Sequence, residues 1–82
     1  MSRSYSAGDY LSLGEIGRFA KRRRKAEDET QEEAASALGV GQANVSRAEN
    51  GRSDAKSTLF RLIRRYTEFE VEPESHYCLI EK

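Results

Sequence analysis

Gln42, Asn44 and Arg47 stand within six residues of one another, and each ends in a planar group able to form two parallel hydrogen bonds. The two amides match the edge of an adenine and the guanidinium matches the edge of a guanine, each good pair discriminating by about 1–3 kcal/mol. Ala43 can touch a thymine methyl, and Ser46 can reach a base or a phosphate. The bland reading is that outward residues of any helix are polar. Upstream, Arg18, Lys21, Arg22, Arg23, Arg24 and Lys25 put six cations in eight residues. Cations are favoured near a helix C-terminus, but six exceed what that effect requires. They read either as a solvated face or as a patch facing phosphates. Nothing comparable points to catalysis. One Cys and one His cannot build a zinc site or a disulfide framework within the chain. Cys78 sits in an apolar run and reads as a small core residue, while His76 borders a turn and reads as exposed. Gly39-Val40-Gly41 lacks the lysine and the spacing of a phosphate loop. We therefore expect no enzyme, no metal and no cofactor.

The elements that must position these side chains follow from periodicity. From Thr30 to Gly51, apolar residues fall at Ala34, Ala35 and Leu38, then at Val40, then at Val45 and Ala48. Within each half the spacing is that of a helix with one buried face. Gly39-Val40-Gly41 between the halves has room only for a tight turn, and Gly39 suits a positive φ just past a helix end. Two helices joined so closely must cross steeply, with Ala35 as the small residue where they touch and Val45 inserting into the same junction. Thr30 with Glu33 is a capping box for a helix over 31–38. A further helix spans 42–50 and closes at Gly51. Upstream, Ser12 with Glu15 is another capping box, opening a helix over 13–26 whose buried stripe is Ile16, Phe19 and Ala20. Gly14 and Gly17 each weaken it by about 1 kcal/mol relative to Ala. Downstream, Asp54 is placed to cap a helix over 55–67 with the stripe Leu59, Leu62, Ile63 and Tyr66, and Phe60 beside it.

Together with Thr30-Gln31-Glu32-Glu33, the pattern Ala35, Leu38, Gly39, Val40, Val45, Ser46, Glu49 and Gly51 resembles the helix-turn-helix of the phage-repressor and Cro (XRE-like) family of DNA-binding domains. Arg23-Arg24-Lys25-Ala26 is a common ending of that family's first helix, so the resemblance covers about residues 13 to 66. It implies that the helix over 42–50 lies in the major groove with its N-terminal residues at base edges, making Gln42, Ala43, Asn44, Ser46 and Arg47 the base contacts. It implies a phosphate contact for Gln31, which starts its helix where free N–H groups favour an anion. Asn50, Arg52, Ser53 and Lys56 complete the phosphate set, with Arg23 and Arg24 from the first helix. The chain departs from the family where Glu29 and Ala34 replace usual leucines and Ala48 replaces a larger apolar residue. A core so rich in alanine favours a dimer.

With 82 residues, one domain is the expected count, and its core is marginal on area alone. Residues 1–11 are expected to be irregular and flexible, although Tyr5, Tyr10 and Leu11 can pack back. Residues 12–67 form the helix-turn-helix domain. Residues 68–82 are an acidic tail, where Glu68-Phe69-Glu70-Val71-Glu72 alternates strictly, Pro73-Glu74-Ser75 suits a turn, and 76–80 is nearly all apolar. An isolated hairpin is marginal in water, so we expect it to pair with a second copy through Phe69, Val71, Tyr77, Leu79 and Ile80, as Cro-like proteins do with their C-terminal strands. The fold expected is mainly α, a four-helix repressor-like domain with a C-terminal strand or hairpin used for dimerisation. Net charge is zero, yet residues 1–66 hold 13 basic and 9 acidic residues while 67–82 hold 1 and 5. A local basic face matters more for DNA than the overall balance. Arg61, Arg64 and Arg65 either pair with that acidic tail or contact DNA. No run approaches a membrane span and no signal peptide opens the chain, so a cytoplasmic protein is expected. The function expected is a transcriptional regulator, a repressor binding a palindromic site on double-stranded DNA as a homodimer. The alternative is an antitoxin-like module whose acidic tail binds a partner protein.

Overall fold

The computed structural model describes residue 5, residues 7–72 and residues 77–82. The turn expected over Pro73–Ser75 and the exposed position expected for His76 lie outside them. Four helices follow in order: α1 (Leu13–Ala26), α2 (Gln31–Leu38), α3 (Gln42–Glu49) and α4 (Lys56–Tyr66). Both capping boxes form. The Ser12 hydroxyl accepts from Glu15 N at 3.2 Å while Glu15 Oε1 accepts from Ser12 N at 3.0 Å, and Thr30 and Glu33 repeat the exchange. Each satisfies two N–H groups that a helix start leaves without partners.

Three of the helices end in the same way. After α2, Gly39 takes φ +71°, and Val40 N donates to Ala35 O at 3.0 Å while Gly39 N donates to Ser36 O at 3.2 Å. After α3, Gly51 takes φ +74°, and Arg52 N reaches back to Arg47 O. After α1 the left-handed position is held by Asp28, φ +59°, and Glu29 N reaches back to Arg24 O. Each is a Schellman closure, which returns hydrogen bonds to the last carbonyls and turns the chain sharply. Residues 31–50 are thus two helices with a break at 39–41.

The ends of α3 and α4 differ from expectation. Asn50 caps α3 instead of continuing it. A 3-10 turn over Ser53–Ala55 precedes α4, so Asp54 lies inside that turn and makes no capping hydrogen bond. At the other end Thr67 is extended, with φ −134° and ψ 172°. Its hydroxyl donates to Ile63 O at 2.6 Å and accepts from Phe69 N at 2.9 Å, joining helix to strand.

The tail forms strands β2 (Phe69–Glu72) and β3 (Tyr77–Glu81), antiparallel with Val71 opposite Leu79. The expectation of an irregular N-terminal segment is corrected at Tyr10–Leu11, which form a short strand β1 on the other edge of β3, giving the order β1-β3-β2. Gly8 N and Asp9 O both bond to Leu79, which carries the pairing two residues further back. Side chains alternate across the sheet. Leu11, Phe69, Val71, Tyr77 and Leu79 fall on the face that meets the helices, and Tyr10, Glu70, Cys78 and Ile80 on the other.

The core joins Ile16, Phe19 and Ala20 of α1, Ala34 and Ala35 of α2, Val45 and Ala48 of α3, Leu59, Leu62, Ile63 and Tyr66 of α4, and Leu11, Phe69 and Leu79 of the sheet. Its centre around α2 and α3 is filled by alanine, so the helices must approach closely. Gly17 shows how closely. A Cβ there would lie 2.5 Å from the backbone oxygen of Glu49 and 2.9 Å from that of Ala48. The glycine that weakens α1 as a helix is what lets α3 reach it. Gly14 differs, because a Cβ there would meet only Arg18 Nη1 at 3.6 Å and the Ser12 hydroxyl at 3.9 Å.

The two glycines should therefore respond oppositely to alanine. Gly17→Ala should lower stability by about 1–3 kcal/mol through forced separation of α1 and α3. Gly14→Ala should raise it, by up to about 1 kcal/mol, through helix propensity. Chemical denaturation of the two variants beside the parent checks both signs.

Candidate nucleic-acid interface

The two faces of α3 are defined by which of its residues turn inward. Along α3, Val45, Ala48 and Glu49 are buried; Gln42, Ala43 and Arg47 are exposed, and Asn44 and Ser46 are half-buried. The outward face therefore carries the five residues expected to reach base edges. Arg47 is not loose. Its Nη2 donates to Asn44 Oδ1 at 3.4 Å, and its Nε lies 3.8 Å from Asp54 Oδ2. Sequence reasoning missed Asp54 in this role, having assigned it to a cap. Asn50, exposed just beyond α3, donates its amide to Ser46 O at 2.9 Å. Arg52, Ser53 and Lys56 are exposed around the 3-10 turn that follows, so the stretch from the end of α3 to the first residue of α4 holds four of the expected phosphate contacts.

Arg24 is elsewhere. Expected among the phosphate contacts, it is only 5% exposed. Its Nε donates to Glu49 Oε2 at 2.6 Å, its Nη2 to Glu49 Oε1 at 3.1 Å, and its Nη1 to the backbone oxygen of Glu29 at 2.6 Å. The Glu49 carboxylate, itself 4% exposed, also accepts from Gln31 Nε2 at 3.0 Å. Hydrogen bonding to Glu49, offset in part by burial, holds the Arg24 guanidinium above its ordinary pKa. Fork-to-carboxylate pairing of this kind is geometrically demanding. It fixes the end of α1, the start of α2 and the end of α3 on one another. The periodicity carried a signal for it, since Arg24 falls four residues after Ala20 and eight after Ile16, on the apolar stripe of α1. Gln31 remains at the first position of α2, half-buried, with its amide committed to Glu49. Arg23 pairs with Glu68 at 3.3 Å.

The residues expected to join two copies divide differently. Phe69 and Leu79 lie in the chain's own core at 5% and 0% exposure. Tyr77 packs its ring 5.7 Å from that of Phe60, and Val71 faces the same way. Only Ile80 of the five lies on the outer face, beside Cys78 and the exposed Tyr10. The cause is β1 together with Thr67, which fold the hairpin back over the helices.

On α4, Arg64 pairs with Glu70 at 3.0 Å, Arg65 with Glu29 at 3.3 Å, and Arg61 donates to Leu38 O at 2.6 Å. Of the three, Arg64 thus takes up the acidic tail. Glu29, where the family resemblance implies leucine, accepts from the Tyr66 hydroxyl at 2.6 Å. That hydrogen bond, with help from Arg65, lowers the carboxyl's pKa below its ordinary value. The Tyr66 pKa is raised, by burial first and by its bond to Glu29 second. Among the described residues no group of three or more His, Cys, Asp or Glu side chains could hold a metal ion, and no helix is long and apolar enough to cross a membrane.

A family model described as a helix-turn-helix domain matches residues 15–72, most of the chain. No curated protein matches it significantly.

Two measurements probe this geometry. Glu49→Ala should cost about 3–5 kcal/mol, because it strands the Arg24 charge in the interior, while Arg24→Met with Glu49→Leu should recover most of the loss. Glu29 has a depressed folded-state pKa, so its contribution is present above the ordinary carboxylate range and lost as pH falls through the lowered value. The melting temperature of the parent should exceed that of Glu29→Gln at neutral pH, and the gap should close on acidification below about pH 4. A gap independent of pH would mean that the carboxylate charge is not what matters.

Proposed function

The chain belongs to the helix-turn-helix domain family, and we propose that it is a sequence-specific DNA-binding regulator, a cytoplasmic repressor of the phage-repressor and Cro type. The observation that carries this reading is the division of α3. Val45, Ala48 and Glu49 anchor it, and Gln42, Ala43, Asn44, Ser46 and Arg47 form a polar face whose side chains match base edges. Asn50, Arg52, Ser53 and Lys56 flank that face with hydrogen-bond donors suited to phosphates. Arg47, braced by Asn44 and Asp54, reads a guanine. Gln42 and Asn44 read adenines.

The protein acts as a homodimer on a near-palindromic operator, one α3 entering each of two successive major grooves about 34–36 Å apart. The surface that joins the copies is the outer side of the sheet, where Tyr10 is 61% exposed beside Cys78 and Ile80. Control comes from occlusion of the promoter and from protein concentration. The protein has no enzymatic activity and requires no cofactor. The rival reading, an acidic tail released to bind a basic partner, is disfavoured because Phe69 and Leu79 bury the tail in the core and Glu68 and Glu70 are engaged by Arg23 and Arg64.

Selection from random duplexes by the purified protein should enrich an inverted repeat, and sedimentation should give a dimer mass on that duplex. Arg47→Ala should weaken binding to the selected duplex by about 1–3 kcal/mol and relax preference at one base pair per half-site. Selection that enriches no sequence, or an Arg47→Ala variant with unchanged affinity and preference, would refute α3 as the reader.

A further inference from the structure

The cation run of α1 is divided by the fold into two sets. Arg23 and Arg24 turn toward Glu68 and Glu49. Arg18, Lys21, Arg22 and Lys25 instead line one shared concavity of about 300 Å³. Their spacing of three, four and seven residues stacks them on one side of the helix, opposite the buried Ile16, Phe19 and Ala20. At 1.5 Å per residue the stripe runs about 10 Å along the axis. Arg18, Lys21 and Lys25 have no carboxylate partner among the described residues, whereas Arg23, Arg24, Arg47, Arg64 and Arg65 each have one. Arg22 stacks 5.9 Å from the ring centroids of Tyr5 and Phe19, which holds its stem against apolar surface. Attraction to the helix C-terminus accounts for cations in the last turn only, and three of these four lie before it.

We propose that this stripe is a second nucleic-acid surface, binding the phosphate backbone of duplex DNA without regard to sequence. The proposal rests on the DNA-binding reading above and extends it, replacing Arg24, which the fold has sealed in, with cations whose charge faces solvent. The charges of Arg18, Lys21 and Lys25 on one helix face match a polyanion of closely spaced phosphates, where each contact releases condensed counterions. An acidic protein segment is the competing ligand, and the test separates the two.

The test is the salt dependence of binding for the full chain and for the triple variant Arg18→Gln, Lys21→Gln, Lys25→Gln. All three positions are exposed, and circular dichroism checks that the variant is folded. On both the selected duplex and a random duplex, the slope of log K against log salt should become shallower by about 2–3, since each lost phosphate contact removes about 0.9. Affinity should fall by a similar factor on both duplexes, leaving the ratio between them unchanged. Unchanged slopes overturn the proposal, as does loss of binding to an acidic peptide such as poly-glutamate with DNA binding intact. Failure of the regulator reading is distinguishable. A parent protein that binds random duplex with a slope set by these residues, yet selects no sequence, keeps the stripe and loses the operator. A parent that selects a sequence with a slope indifferent to them keeps the operator and loses the stripe.

Discussion

Burying one guanidinium against one carboxylate is the constraint on which the helical layout depends. A charge taken out of water is tolerated only when its partners are placed well. Arg24 has three such partners atoms apart: both oxygens of Glu49 and the carbonyl of Glu29. Those partners come from the end of α3 and the linker before α2, and Gln31 adds the first turn of α2 to the same carboxylate. Three helices are thereby indexed to one point. A hydrophobic cluster there would tolerate sliding and rotation, because apolar contact is non-directional. A bidentate pair tolerates neither. What the pair supplies is orientation: it fixes how α3 sits on the scaffold, and so which of its residues face outward.

Close backbone packing is the second half of the same device. Arg24 can span to Glu49 only because Gly17, two turns earlier, admits the carbonyls of Ala48 and Glu49 against α1. Gly51 meets Gly14 in the same way, a Cβ on Gly51 falling 2.7 Å from the Gly14 Cα. Alanine at 34, 35 and 48 fills the space between the helices, and all three are buried. The small residues that look like a weak core are the consequence of helices held close together. The bulk of the apolar stabilisation moves to α4 and the sheet, where Leu59, Leu62, Ile63 and Leu79 are fully enclosed.

The four helices were legible because their signals are local. Capping boxes at Ser12 and Thr30, and left-handed glycines at 39 and 51, state where the chain starts and stops turning, and the structure places them there. The outward face of α3 was legible from its period. What was hidden depends on partners distant in the chain. Tyr10–Leu11 is too short to show an alternation, and it is a strand only because β3 offers it an edge. The hairpin reads as an element seeking a second copy, because sequence alone does not reveal that Thr67 and β1 fold it onto the helices. Asp54 reads as a cap, but the 3-10 turn carries it past the capping position and toward Arg47. Arg24 lies on the apolar period of α1, yet its charge and its cationic neighbours argue for solvent until Glu49, 25 residues away, is known to face it.

A chain with no net charge can still present a strongly positive surface if its fold decides which charges cancel. Glu68 and Glu70 neutralise Arg23 and Arg64, Glu29 neutralises Arg65, and Glu49 removes Arg24 altogether. Each pair is short enough that its field falls away quickly at physiological salt, where the screening length is about 8 Å. Exposed pairs such as these add little stability, so their main consequence is electrostatic. They offset two of the three arginines of α4 and the inner edge of α1, and leave Arg18, Lys21, Lys25, Arg52, Lys56 and Arg61 among the cations with no carboxylate partner in the described residues. Isoelectric point averages this pattern away. The acidic strands act within the chain as a mask, and among the described residues cations without a carboxylate partner remain on the outer side of α1, around the turn after α3, and at Arg61 of α4.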